Sequence, residues 1–152
     1  MNRPAQGRIL ALDLGKRRIG LAVSDPLRIT AQGIDTLERT NIREDLARLE
    51  KLIGDHGVTA ILLGHPIHMS GAEGRQAKYA REFADRLSRQ TGLPVTLWDE
   101  RLTTVEAQRV LRAGGLSSRR RAQSVDRIAA VILLESYLDS LAPTGSAEPP
   151  RE

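Results

Sequence analysis

At 152 residues the chain fits one domain with a sizeable core, and the absence of cysteine excludes a disulfide framework. The N-terminal stretch MNRPAQGRIL has neither an apolar signal core nor a run of membrane-spanning length, so a soluble cytoplasmic protein without membrane association is expected. A formal net charge of +4 favours a polyanionic partner such as nucleic acid. Arginine outnumbers lysine 20 to 3, however, a skew that genome base composition can produce by itself, so the position of the charges says more than their total.

Taken in chain order, Arg8 to Leu14 and Ile19 to Ser24 are short apolar runs separated by the turn GKRR, which reads as a hairpin of two strands. Ile9, Ala11 and Asp13 share one face of the first run and Leu10, Leu12 and Leu14 the other, as a central strand covered on both sides requires. Thr30 to Leu37 is a weaker third strand. A helix follows from about Ile42 to His56, where Ile42, Leu46, Leu49 and Ile53 recur at helical spacing.

Ala60 to Gly64 is a buried strand and GHPIHMSGAEG a loop by its glycines and proline. A second helix, about Glu73 to Thr91, carries Ala77, Ala80, Ala84 and Leu87 on one side and ends at Gly92-Leu93-Pro94. The strand Val95 to Asp99 comes next. Thr103 and Glu106 form a capping box for a third helix reaching about Ala113. After the loop LRAGGLSSRRRAQ, the last helix spans about Ser124 to Ser140 with Ser124 as N-cap, and residues 142–152 form a compositionally disordered tail. The order β-β-β-α-β-α-β-α-α implies an α/β fold, a mixed five-stranded sheet with helices on both faces, in a single domain of residues 1–141.

Three acids stand in otherwise apolar contexts: Asp13 in ILALDLG, Glu100 in VTLWDERLTT and Asp126 in SVDRIAAVILL. A buried carboxylate is costly unless compensated. Convergence of all three on divalent cations is an economical answer, because hard oxygen ligands suit Mg²⁺, with Mn²⁺ as a substitute. Each acid also has a simpler reading. Asp13 could begin a turn, and Asp126 sits in the first turn of a helix, where an acid is favourable through the dipole alone. Asp99 points to the strand face opposite Glu100, so only one of the two enters a common site. On the last helix, Ala129, Ala130, Leu133 and Tyr137 share the side of Asp126, and the small alanines let that helix press close to the sheet.

Two basic clusters would flank such a site: Lys16, Arg17 and Arg18 directly after Asp13, and Arg119, Arg120 and Arg121 ahead of Asp126, with Arg101 beside Glu100. They are placed for sequence-independent phosphate contacts. Aromatic residues make up only 3% of the chain, so extended base stacking is not indicated. His65 and His68 lack neighbouring Cys or carboxylate ligands and read as loop residues rather than a transition-metal site.

The segments DLGKRRIGLAVSD (13–25), GHP (64–66), DERLTT (99–104) and DRIAA (126–130), in this order over roughly Arg8 to Leu141, resemble the YqgF/RuvX family. The resemblance implies an RNase H-like fold and a metal-dependent nuclease whose acidic positions fall on Asp13, Glu100 and Asp126. It further implies either 5′-end maturation of pre-16S ribosomal RNA or resolution of four-way DNA junctions. The middle loop departs from the family's usual G-L-P-L-N-M-D-G, having His65, His68 and Ser70 instead of leucine, asparagine and aspartate, which leaves the loop's role open. The expected chemistry is phosphodiester hydrolysis with Asp13 bridging two Mg²⁺ ions about 4 Å apart and Glu100 and Asp126 completing the ligand sets. Two other readings stay open: a nucleotide-binding kinase or actin-like ATPase, disfavoured by chain length and by bulky Lys16-Arg17-Arg18, and a non-catalytic nucleic-acid-binding module, disfavoured by the three acids. A junction resolvase needs a symmetric dimer and an RNA processor does not, and the sequence leaves monomer and homodimer undecided.

Overall fold

The computed structural model describes residues 7–67, 70–100 and 118–141, with side chains in the last segment described from Arg127 onward. Strands β1 (Arg8–Leu14), β2 (Arg18–Ser24) and β3 (Ala31–Glu38) form an antiparallel meander. On the other side of β1, β4 (Val58–His65) and β5 (Val95–Asp99) add in parallel, giving one sheet of order β3-β2-β1-β4-β5. Helices α1 (Ile42–His56) and α2 (Arg75–Thr91) provide the crossovers, and α3 (Ser118–Leu141) closes the described chain.

The alternation of β1 decides where everything packs. Leu10 and Leu12 enter a core with Leu46, Leu49 and Ile53 of α1 and Ala80, Phe83 and Leu87 of α2. Ile9 and Ala11 enter a second core with Ala130, Leu133, Leu134 and Leu138 of α3. A strand apolar on both faces thus becomes the middle of the sheet, with helices on both sides as the pattern predicts. No helix among the described residues is long and apolar enough to cross a membrane.

Close approach of α3 depends on small residues. Ala129 and Ala130 are buried against the sheet, and a Cβ added at Gly33 of β3 would lie 2.7 Å from Cγ of Arg127 and 3.2 Å from Cγ2 of Val131. Arg127 then pairs with Asp35 of the same strand at 3.1 Å. At the far edge Trp98 meets Tyr137 edge-to-face at 5.1 Å and donates to Ser136 Oγ at 3.1 Å, tying the end of β5 to the same helix.

Several boundaries differ from expectation. The last helix begins at Ser118, not Ser124, so Arg119, Arg120 and Arg121 are helical rather than in a loop. Arginine, alanine and glutamine are good helix formers, and after Gly114-Gly115 nothing in the sequence interrupts the run. The fourth strand runs from Val58 to His65, longer at both ends than the expected Ala60 to Gly64, and β5 supplies partners to Gly64 and His65. The second helix starts at Arg75, after Gly74 as N-cap. The helix expected over 103–113 and the tail 142–152 lie outside the described residues.

A buried ion pair locks the hairpin turn to the helical layer. Asp45, 1% exposed, accepts from Arg39 Nε at 3.2 Å, from an Arg48 guanidinium nitrogen at 3.2 Å and from the Thr40 amide at 3.1 Å. Arg39 in turn donates to the Gly15 carbonyl at 2.9 Å and to the Tyr79 hydroxyl, so the turn bearing Lys16 and Arg17 is fixed through it. Removing the acid leaves the mostly buried Arg39 uncompensated. Asp45→Ala is expected to lower stability by about 3 kcal/mol in urea unfolding, a loss typical of breaking a buried pair; a change below about 1 kcal/mol would show that water already screens this pair.

Candidate active site

The two cores end together at the C-terminal edge of the parallel strands, where ligands gather in open α/β sheets. Asp13 is the penultimate residue of β1, on the α3 face, opposite Gly20 of β2. Leu12 pairs with Leu63 of β4, which places Gly64 beside Asp13, and Gly64 pairs with Trp98 of β5. One row across the sheet therefore reads Gly20, Asp13, Gly64, Trp98. A carboxylate stands between two residues that have no side chain.

Glu100 fills one of those gaps. It follows β5 directly, and its amide donates to the His65 carbonyl at 3.3 Å, which keeps the chain in register one residue past the strand. Its side chain folds back over Gly64, where an added Cβ would lie 2.8 Å from Cδ and 2.9 Å from Cγ of Glu100. The carboxyl then shares a hydrogen bond with Asp13. Burial, the charge of Asp13, this hydrogen bond and the charge of Asp99 push the Glu100 carboxyl up to about 9. Two carboxyls held together in this way hold one proton between them unless a cation takes its place.

That raised value has a consequence for the cation-free protein. Between the usual carboxylate value of 4.5 and about 9 the folded state retains a proton that the unfolded state has lost. Folding stability therefore falls as pH rises through this window. In EDTA the melting temperature is expected to decline from pH 5 toward pH 9, and Glu100→Gln is expected to flatten that decline; equal slopes for both proteins would refute the coupling.

Of the other expected site residues, Lys16 and Arg17 are exposed on the turn and Arg18 opens β2. Asp126 lies within α3, as do Arg119, Arg120 and Arg121, but their side chains are outside the described residues, as is Arg101 altogether. Among the described residues there is no group of three or more His, Cys, Asp or Glu side chains able to hold a metal. Asp99, opposite His65 at the end of β5, acts on Glu100 through its charge.

His65 is the last residue of β4 rather than a loop residue. Its Nε2 lies 3.0 Å from Glu73, which also pairs with Arg81 at 2.7 Å. The ring thereby ties the strand end to the segment leading into α2. His68 lies outside the described residues. Gly64 was part of a recognised motif but was given no role of its own; the available signal was a glycine ending an otherwise large apolar strand run, beside the strand that carries Asp13.

The RuvX family profile, described as Holliday junction resolvase, matches residues 7–140. A protein of Koribacter versatilis, provisionally named a pre-16S rRNA nuclease, is 53% identical over 133 residues, covering 88% of this chain and 87% of that protein. A Moorella thermoacetica protein with the same provisional name is 49% identical over 138 residues, covering 91% of this chain and 99% of its own length. Among solved structures, Thermus thermophilus RuvC in complex with a Holliday junction substrate shares the fold with a TM-score of 0.55 at 13% identity, covering 89% of this chain and 96% of that one. The sheet order, the helices on both faces and these matches agree on one assignment: the chain belongs to the RuvX family of nucleases, on an RNase H-like fold.

Proposed function

We propose that the chain is a divalent-metal-dependent phosphodiesterase that acts on precursor 16S ribosomal RNA, with Asp13, Glu100 and Asp126 as its acidic set. The observation that carries this reading is the Asp13–Glu100 carboxyl pair folded over Gly64. A pair so placed is electrostatically unfavourable by itself, and its all-oxygen donors suit Mg²⁺, or Mn²⁺ in its place. Asp126 joins the set through the family resemblance. The relatives named for pre-16S rRNA support the choice of substrate.

Bound there, one or two divalent cations would supply charge neutralisation at the phosphoryl group and a water-derived nucleophile at neutral pH. The chain's own residues do the rest. Asp13 and Glu100 fix the position of positive charge at the sheet edge. Gly20 and Gly64 keep side chains away from the neighbouring row positions. Lys16 and Arg17, on a turn anchored by Arg39, would hold substrate phosphates, with Arg18, Arg101 and the Arg119–Arg121 run as further candidates.

A second reading, cleavage of four-way DNA junctions, is favoured by the family description. Purified protein with Mg²⁺ should be offered precursor rRNA and a four-way junction in the same buffer. Cutting of the RNA alone supports the proposal; symmetric cutting of the junction supports a dimeric resolvase. Metal-independent binding of both without cleavage would overturn both readings in favour of a non-catalytic module.

A further inference from the structure

A cleft of ≈ 520 Å³ opens beside the candidate active site on the α2 side of the sheet edge. Glu100 and Gly64 of the candidate site line it together with the apolar Leu14 and Pro66 and the polar or charged Lys16, Arg75, Gln76 and Tyr79. Its volume is that of a small-ligand pocket, too small for a duplex segment. We propose that this cleft is a single-nucleotide subsite, which takes one unpaired base of the substrate strand next to the phosphate being cleaved, with the base against Tyr79 and the flanking phosphate between Lys16 and Arg75.

Three observations support this inference, which rests on the nuclease reading for the phosphate beside Glu100. First, Tyr79 is a fixed platform: its hydroxyl accepts from Arg39, the Arg39 guanidinium carbon lies 5.5 Å from its ring centre, and Phe83 braces it at 6.2 Å, yet the residue stays 38% exposed. An immobilised, half-exposed ring loses little entropy when a base stacks on it. Secondly, the charges divide by role. Each nitrogen of Arg39 is engaged, by Asp45, Gly15 and Tyr79, whereas Lys16 and Arg75 make no ion pair or side-chain hydrogen bond with any described residue. Thirdly, the first turn of α2 contains no acidic residue, and Glu73, just ahead of it, is paired with Arg81 and His65.

The subsite has a consequence for the class of substrate. A base enters such a cleft only after leaving its stack, which costs least in a single strand or an unpaired junction. Strand character beside the cut would then be selected ahead of base identity, because Tyr79 offers a ring face that any base can stack on, with Gln76 the one amide side chain in the lining.

The test measures binding in EDTA, so that no cleavage intervenes, by fluorescence anisotropy of a labelled oligouridylate, an abasic strand of equal length and the corresponding RNA duplex. Wild type and Tyr79→Phe are expected to prefer the base-bearing strand by about tenfold, a stacking contribution that Tyr79→Ala should erase. Arg75→Ala should weaken both single strands alike. Thermal melts establish that each variant is folded, and Tyr79→Leu replaces Tyr79→Ala if the latter is not. A folded Tyr79→Ala or Tyr79→Leu that keeps the preference, or a wild type that has none or binds duplex equally well, overturns the subsite. Cleavage with Mg²⁺ is followed in parallel: cutting without base preference removes the subsite and leaves the nuclease reading, whereas base preference without cutting removes the nuclease reading and leaves the subsite.

Discussion

Asp13→Asn is expected to slow Mg²⁺-dependent cleavage at least about a hundredfold while leaving the protein as stable as wild type, or more so, in EDTA. The size of the loss follows from the place of Asp13 as the one acid of the set that lies within the sheet: a direct ligand should cost more than the ten- to hundredfold typical of outer-sphere partners. The sign of the stability effect comes from Glu100. The Asp13 charge is, after burial, the largest cause of the raised Glu100 carboxyl, so replacing it with a neutral amide of the same shape removes repulsion and keeps a hydrogen-bonding group. Cation binding should separate the proteins further. Mg²⁺ that binds only the folded state raises the melting temperature of wild type by mass action and should raise that of Asp13→Asn much less. A variant that cleaves at the wild-type rate removes Asp13 from the site; one that melts many degrees lower makes its role structural.

The sequence was most informative where one physical demand dominated. The double-sided apolar run of β1 specified a central strand, and its alternation placed Asp13 with Ile9 and Ala11 on the face that α3 covers. Strand parity required only that one of Asp99 and Glu100 enter a common site, and the family resemblance chose Glu100; the Trp98–Tyr137 contact that puts Glu100, two residues further along, on the α3 face is visible only in the structure. What the sequence hid depended on contacts between distant segments. That the strand continues past Gly64 to His65 turned on pairing with Asp99, some thirty residues away, and local glycine and proline signals pointed to a loop. The start of α3 was hidden for a related reason: Ser124 is a plausible cap locally, but the arginines before it favour helix and no breaker intervenes. The Tyr79 platform was hidden too, because its orientation depends on Arg39, and Arg39 is held by an acid in a different helix.

The geometry also ties two of the acids to one helix. Trp98 anchors the end of β5 to α3 through Ser136 and Tyr137, while Gly33, with Arg127 lying over it, sets how closely α3 approaches β3. Glu100 is two residues beyond Trp98, and Asp126 immediately precedes Arg127 in the chain. The relative placement of these acids therefore depends on side-chain contacts well below the site. On the proposed reading, substitutions in that second core would impair cleavage without touching the acids, since geometry within about 0.5 Å matters at a catalytic centre.

Gly64→Ala is expected to reduce cleavage nearly as far as Glu100→Ala does, with a change in melting temperature of only about a degree or two. An added methyl would lie 2.8 Å from Cδ and 2.9 Å from Cγ of Glu100, closer than real carbons approach, so one group must move. Gly64 is held in the sheet by its pairing with Trp98 of β5 and by the Leu12–Leu63 pair just before it, whereas the conflicting atoms are the outer part of a flexible side chain. The carboxylate therefore swings away from Asp13 while the sheet keeps its register. The small effect on stability follows because alanine in a strand offsets part of any packing cost by losing less backbone entropy on folding than glycine does. If displacement of Glu100 is the whole effect, Gly64→Ala combined with Glu100→Ala should be no slower than Glu100→Ala alone, a fully non-additive cycle. Additive losses would mean that the methyl obstructs the substrate directly. A large fall in melting temperature would mean instead that the strand yields before the glutamate does.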